Sequence, residues 1–187
     1  VERAWNFKEM VGQAPIAAAP WGPGLVADYP EIIESVRLHK EETFVRNREN
    51  QSFKQNLVAA DASLFSIFDF ALVSGDENSA LVEPYQVVLT SELAKKYVGT
   101  EEAIGQSLSI DWLGERVDFE ITGILSPVPA NSHMHFDMIV SFESYPHEYV
   151  SDWMAGGFYN FILLEQNVDA AELEKKFPTF LKSHANN

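Results

Sequence analysis

Residues 87–142 read VVLTSELAKKYVGTEEAIGQSLSIDWLGERVDFEITGILSPVPANSHMHFDMIVSF, and this stretch decides the fold. Thr90 stands where an N-cap belongs. Leu93, Ala94, Tyr97 and Val98 then recur at helical spacing until Gly99 stops the run. Lys95 and Lys96 fall in the last turn, where positive charge complements the carbonyl end of the helix dipole. Next, Leu108, Ile110 and Trp112 alternate with Ser109 and Asp111. Beyond a turn at Leu113-Gly114-Glu115, Val117, Phe119 and Ile121 alternate with Asp118, Glu120 and Thr122. A period of two on both sides of a Gly-containing turn predicts an amphipathic β-hairpin. Pro127 and Pro129 deny regular structure as far as about His133, and Phe136 to Phe142 reads as a further strand.

Upstream, Arg3 to Met10 reads as a short strand with Trp5 and Phe7 on one face, and residues 11–24 as a loop. A short helix around Gly24 to Tyr29 must stop before Pro30, because the residue preceding proline is pushed out of the α region. Three strand-like runs follow, Ser35–His39, Thr43–Arg48 and Phe53–Ala60. The last two form a one-sided antiparallel hairpin about Glu49-Asn50-Gln51. Asp61 is the expected N-cap of a short helix in which Leu64, Phe65 and Phe68 share a face, and Ser74-Gly75-Asp76 is a turn.

Downstream, Ser144 to Gly157 is loop or weak helix around Trp153, and Phe158 to Leu164 is a buried strand. Asp169 and Glu172 have capping-box spacing ahead of the helical stripe Leu173, Phe177, Phe180 and Leu181. Pro178 kinks or restarts that helix. Helices mixed with mostly antiparallel hairpins, without repeats or a separating linker, indicate an α+β fold.

Composition bounds the function. A chain of 187 residues fits one domain or two small joined subdomains, and 46% hydrophobic content with 13 Phe supports a sizeable core. The net charge of −15, from 28 acidic and 13 basic residues, opposes binding to nucleic acid and to anionic lipid headgroups. The absence of cysteine excludes disulfides, thiolate metal sites and cysteine nucleophiles, and leaves the compartment open. No apolar run approaches the ~20 residues of a membrane span. The chain opens on Val1-Glu2-Arg3, with neither an initiator Met nor a signal-peptide pattern, so a soluble piece of a longer protein is expected.

Motifs of chemistry are sparse. His133-Met134-His135 followed by Asp137 places two imidazoles and a carboxylate on one face of an extended segment, a donor set that zinc accepts. No second shell accompanies it, and surface histidines beside a Pro-rich corner are commoner than a metal site. Gly105-Gln106-Ser107-Leu108-Ser109 lacks the last Gly of a nucleophile elbow and enters a strand instead of leaving one. Gly22-Pro23-Gly24-Leu25-Val26-Ala27 has dinucleotide-fingerprint spacing without the strand that must precede it. There is no P-loop, EF-hand or carboxylate pair set for acid–base work. No catalytic residue and no cofactor is assigned.

A set of short segments carries more weight in its order and spacing. It comprises Asp61-Ala62-Ser63-Leu64-Phe65-Ser66-Ile67-Phe68, Leu72-Val73-Ser74-Gly75-Asp76, Ala80-Leu81, residues 87–99, Ala103-Ile104-Gly105-Gln106-Ser107-Leu108, Ile121-Thr122-Gly123-Ile124 and Asn131-Ser132-His133. This series resembles the MacB-like periplasmic core domain of FtsX/MacB-type ABC-transporter permeases over roughly residues 20–185. Its dialect, with Tyr29-Pro30-Glu31 and Asn131-Ser132-His133, is similar to permeases of the Bacteroidetes type. The signature residues are Phe65, Phe68, Gly75, Asp76, Leu81, Thr90, Ala94, Tyr97, Gly99, Ile104, Gly105, Gly123, Asn131, Ser132 and His133. Val98 departs from the usual Phe before the Gly, which is a packing change.

The resemblance implies a ferredoxin-like porter subdomain, residues 1–60 and 136–187, with an inserted β-rich Sabre-like subdomain, residues 61–135. It implies no enzymatic activity and no cofactor in this domain, with ATP hydrolysis on a separate cytoplasmic domain or subunit. The expected partners are a second permease copy, making a homodimer in the full-length transporter, the cytoplasmic ATPase and a periplasmic adaptor, with no nucleic acid. The isolated domain is expected to be monomeric. The implied location is the periplasmic face of the bacterial inner membrane. The implied role is relaying ATP-driven motion of membrane helices to efflux or extraction of substrate. Two other readings stand beside it: a stand-alone extracytoplasmic peptide- or lipid-binding module, and a metalloenzyme built on His133, His135 and Asp137.

Overall fold

The computed structural model describes residues 3–7, 10–14, 16–47, 49, 51–99, 102–126, 134 and 136–184. In chain order its elements are β1 (Arg3–Phe7), β2 (Met10–Ala14), α1 (Trp21–Asp28), β3 (Ile32–Arg46), β4 (Ser52–Ala60), α2 (Leu64–Ile67), β5 (Leu72–Gly75), β6 (Gln86–Thr90) and α3 (Ser91–Val98). Then come β7 (Ser107–Trp112), β8 (Glu115–Leu125), β9 (Met138–Ser141), a 3-10 turn (Phe142–Ser144), α4 (His147–Val150), β10 (Tyr159–Leu164), α5 (Ala170–Glu174) and α6 (Phe177–His184). The fold is mixed and dominated by sheet. Two compact units divide it, residues 1–37 with 146–187, and residues 38–145.

In the first unit, β1 and β2 pair antiparallel, Trp5 opposite Gly12. The loop expected over residues 11–24 is therefore corrected at both ends: β2 occupies its start, and α1 begins at Trp21. The ladder to β1 satisfies a backbone whose Gly12 and Ala14 have little strand propensity of their own. Pro23 lies in the first turn of α1, where a missing N–H costs no helical bond. The helix ends as expected: Tyr29, before Pro30, is extended at φ −125° and ψ 107°.

Ala17, Ala18, Trp21, Leu25, Ile32, Leu173 and Phe180 form the buried cluster of this unit. Buried Asn160 on β10 fastens α1 to it. Its Nδ2 donates to the Ala18 carbonyl at 3.1 Å, and its Oδ1 accepts from the Gly22 N–H at 2.9 Å. A Cβ on residue 22 would sit 2.7 Å from that oxygen, so the first Gly of the apparent fingerprint answers to packing. Asp169 caps α5 by accepting from the Ala171 N–H at 2.9 Å. Glu172 pairs with Lys175 instead of completing a capping box. The helix breaks after Glu174 and restarts at Phe177, with Pro178 in the new first turn. Strand β10 lies where expected but is less buried than expected: Asn160 is its one buried residue, and Leu163 is 37% exposed. The reason is position, since β10 ends its strand order beside β3.

In the second unit the strand order is β3-β4-β9-β6-β8-β5, with β7 paired to β8 and touching β3 at Val45↔Ile110. Pairings β4–β9 and β6–β8 are parallel; β3–β4, β6–β9, β5–β8 and β7–β8 are antiparallel. Two runs expected as separate strands, Ser35–His39 and Thr43–Arg48, join in one continuous β3 that ends at Arg46; Arg48 lies outside the described residues. Pairs Glu41↔Leu57 and Glu42↔Asn56 carry the ladder through the charged middle, where tertiary pairing overrides the low propensity of Glu. Strand β9 is buried at all four residues, as an inner strand between β4 and β6 must be, and Phe142 has already left it for the 3-10 turn.

The hairpin β7–β8 forms at the expected turn. Leu113 (φ 51°) and Gly114 (φ 87°) both take left-handed conformations, the backbone a two-residue hairpin loop requires. Helix α3 is as expected: the Thr90 side chain accepts from the Leu93 N–H, and Gly99 closes it at φ 82°. Helix α2 is a single turn whose cap position is Ser63, not Asp61, with no side-chain cap bond there. Val87, Val88, Leu89, Phe119, Ile121, Ile124, Met138, Ile139 and Val140 are buried and line the facing strands of the core. Each such large side chain contributes roughly 1.5–3 kcal/mol by leaving water. Among the described residues, no helix is long and apolar enough to cross a membrane.

Candidate functional site

A set of buried and half-buried polar and titratable groups in the second unit surrounds Tyr145, the residue after the 3-10 turn. Its hydroxyl lies 2.6 Å from Nδ1 of His39 on β3. Its ring lies 4.7 Å from Trp112 and 5.3 Å from Phe142, and Trp112 in turn meets Phe119 edge-on at 5.8 Å. Trp112 Nε1 donates to the Ser144 carbonyl at 3.2 Å, and the Ser144 hydroxyl accepts from the Tyr85 N–H at 2.9 Å. Ser141, fully buried, donates to the Leu81 carbonyl at 2.9 Å. Every polar group named in residues 141–145 thus has a partner within its own unit, as burial demands.

Burial sets the titration of this cluster. It holds the His39 imidazole below its ordinary pKa, because the charged form is desolvated. It raises the Glu41 carboxyl for the same reason. The Tyr145 hydroxyl is raised far above the usual tyrosine range, by burial first and by the charge of Glu41 second. Tyr145 therefore keeps its proton, and in the Nε2–H tautomer of His39 it donates to Nδ1. The arrangement makes a strong fixed bond, and its phenol is no base at any ordinary pH.

The signature residues are placed as turn and packing groups. Gly75 on β5 pairs directly with Gly123 on β8, beside a register shift in each adjoining ladder. At φ 105° Gly75 has no room for a side chain, since a Cβ would lie 2.4 Å from the Thr122 carbonyl oxygen. Asp76 accepts from the Asn78 N–H and side chain at 3.0 and 2.9 Å, bonds that hold its carboxyl below the ordinary range. Leu81 is 1% exposed and Ala94 0%, while Phe65 and Phe68 are half-buried about α2. Thr90, Ala94, Tyr97 and Gly99 all belong to α3 or its caps. Tyr97 Oη accepts from Gln55 Nε2 at 2.7 Å. Ile104 is exposed, and Gly105 turns at φ 78°. Asn131, Ser132 and His133 lie outside the described residues.

The metal candidate is not assembled from described residues, because His133 and His135 both lie outside them. Among the described residues no cluster of three or more ligating side chains is placed to hold a metal. The Asp137 carboxylate accepts from the Asn56 N–H at 2.9 Å and from the Asn56 carboxamide at 3.1 Å. It joins β4 to the start of β9. The His39–Tyr145 pair was not singled out from sequence. His39 and Glu41 share a strand face by their i, i+2 spacing, but nothing local points to a partner 106 residues away.

The MacB-like periplasmic core domain family model matches residues 11–179. No curated protein matches the chain. Among solved structures, the chain is similar to a domain of a protein designated a permease from Porphyromonas gingivalis. That match has a TM-score of 0.81 at 19% identity and covers 94% of this chain and 74% of that one. The periplasmic region of MacB from Actinobacillus actinomycetemcomitans gives 0.64 at 15% identity, over 89% of this chain and 73% of that one. The extracellular domain of the noncanonical ABC-type transporter YknZ from Gram-positive bacteria gives 0.55 at 13%, over 86% of each. At such identities the structural likeness is one of fold, and the family match supplies the lineage. The chain belongs to the MacB-like periplasmic core domain family, the extracytoplasmic domain of ABC-transporter permeases.

Proposed function

We propose that this domain relays ATP-driven movement of a permease's membrane helices to the periplasmic side, where substrate is exported or extracted. The observation that carries the reading is the family match over residues 11–179. A relay must pass displacement along stiff elements, and the bonded segment Ser141–Tyr145 together with the unbroken 15-residue β3 has that character.

In this proposal residues 1–60 and 136–187 act as the ferredoxin-like porter part and residues 61–135 as the Sabre-like insertion. The signature glycines and caps keep that insertion in shape. ATP is hydrolysed on a separate cytoplasmic domain or subunit. The working unit is a homodimer of permease copies, joined by a periplasmic adaptor, at the periplasmic face of the inner membrane. The domain itself catalyses nothing and needs no cofactor.

The test uses the full-length permease reconstituted with its ATPase. Tyr145→Phe removes one hydroxyl and leaves the ring packing in place. ATP hydrolysis is expected to stay near the unsubstituted rate while substrate moved per ATP falls. Equal loss of both activities, or unchanged coupling, contradicts the relay. Saturable binding of peptide or lipid by the 187-residue chain alone would move the reading to a binding module.

A further inference from the structure

Strand β10 ends its strand order beside β3, yet nothing in its sequence protects an edge. Its residues, Tyr159–Leu164, include no charge and no proline, the usual devices against unwanted pairing. Among the described residues, the side of β10 away from β3 is met just ahead of the strand, at the antiparallel bridge Ala17↔Phe158. That bridge is well anchored. The Ala17 N–H donates to the Phe158 carbonyl at 2.7 Å, and the Phe158 N–H donates back to the Ala17 carbonyl at 3.1 Å. The Asn160 carboxamide holds the Ala18 carbonyl beside it, and Ala17, Ala18 and Ala19 are all buried.

The bridge sets a register. In an antiparallel ladder a doubly bonded pair recurs at every second residue, so its continuation puts Asn160, Ile162 and Leu164 opposite Pro15, Gln13 and Val11. Glu165, out of phase with these, donates instead to the Glu31 carbonyl just ahead of β3. The backbone groups of Ile162 and Leu164 therefore face away from β3. The segment that reaches this register is β2, Met10–Ala14, which forms with β1 a sheet of only two strands. A two-stranded hairpin on its own is marginally stable in water. Pro15 brings no N–H, so it withholds one bond where a ladder from Ala17 would run on into β2.

We infer that β2 is a strap that exchanges partners, paired with β1 in one state and closed onto the free edge of β10 in the other. Closure puts Gln13 opposite Ile162 and Val11 opposite Leu164. Directly opposed residues share a face, so Val11 joins Ile162 and Leu164, which pack against the buried cluster of the first unit. Gly12 then lies opposite Leu163, the exposed apolar residue of β10. A second copy of the chain suits the edge less well, because two molecules of net charge −15 repel. Strand β2 carries no charge and is tethered close to the bridge, which gives it a high effective concentration at β10. The exchange ties the start of the chain to β10 or frees it, whatever load the domain carries.

The test uses the 187-residue chain, which has no cysteine of its own. Gly12→Cys is combined with Trp5→Cys, its partner in the hairpin, or with Leu163→Cys, its partner in the closed register. Under mild oxidation each double variant is expected to form its disulfide within one molecule. Gly12→Cys with Phe161→Cys, two residues off the closed register, is expected to form little. Amide exchange gives a readout free of cysteine. Gln13→Pro deletes the N–H that closes on Ile162, and exchange at Ile162 and Leu164 is expected to quicken about tenfold. Absence of either expected disulfide, equal yield off register, or a bond between positions 12 and 163 found only between molecules overturns the strap. Exchange at Ile162 and Leu164 unchanged by Gln13→Pro overturns it as well.

Discussion

Replacing Tyr145 by Phe removes the hydroxyl and keeps the ring. Tyr145 is 8% exposed, and its ring packing on Trp112, Phe142 and His39 survives the change. What disappears is the hydroxyl 2.6 Å from His39 Nδ1. A typical hydrogen bond contributes about 0.5–1.5 kcal/mol net, and a buried partner left unsatisfied raises the loss to about 1–3 kcal/mol. His39 is half-buried, so about 1–2 kcal/mol is expected. For a chain of this length each kcal/mol shifts the melting temperature by roughly 2–4 °C. Urea unfolding at pH 8, followed by tryptophan fluorescence, reads the change while His39 is neutral in both folded and unfolded states. Tyr145→Ala, which also deletes the ring, should cost about 3–5 kcal/mol. A Tyr145→Phe protein as stable as the parent would refute the claim that the hydroxyl–imidazole bond anchors this segment.

Other perturbations have definite signs. Gly75→Ala meets the Thr122 carbonyl at 2.4 Å and should cost more than Gly99→Ala, which has open space and bears only the left-handed strain of about 1–2 kcal/mol. Thr90→Ala removes the cap on the Leu93 N–H and should cost about 1 kcal/mol, with faster amide exchange at Leu93. The folded pKa of His39 is depressed, so the unfolded chain protonates first as pH falls through 6.5, and stability drops below that value. His39→Gln should flatten the slope there. Glu41 has the opposite sign: its raised folded pKa penalises the charged form, so stability recovers as pH falls toward 4.5. Glu41→Gln should stabilise the protein at pH 7 and above.

What could be read in advance was local. The cap–stripe–glycine pattern of α3 and the alternation of β7 and β8 about Leu113-Gly114 involve neighbours within a few residues, and both formed where expected. The helical restart around Pro178 likewise depends on one local steric fact. Structure set by distant partners escaped. Strand β2 exists because β1 completes its ladder, and the middle of β3 is strand because β4 runs beside Glu41 and Glu42. The burial of β10 was overread because its apolar letters do not reveal an end position. The His39–Tyr145 bond needs residues 106 positions apart, which no periodicity encodes. The family was legible in the sequence, and the Gly75↔Gly123 pair is a close approach where few residue types fit.

The relay is tested most directly by watching the domain move. The 187 residues contain no cysteine, so Glu115→Cys, at the exposed first residue of β8, provides one spin-label position per copy within the domain. Distances between the two copies would be measured by double electron–electron resonance in the full-length permease with its ATPase, before and after vanadate trapping. The account predicts a distance distribution that shifts on trapping and returns on release. An identical distribution in both states, with ATP hydrolysis and transport intact, would contradict it.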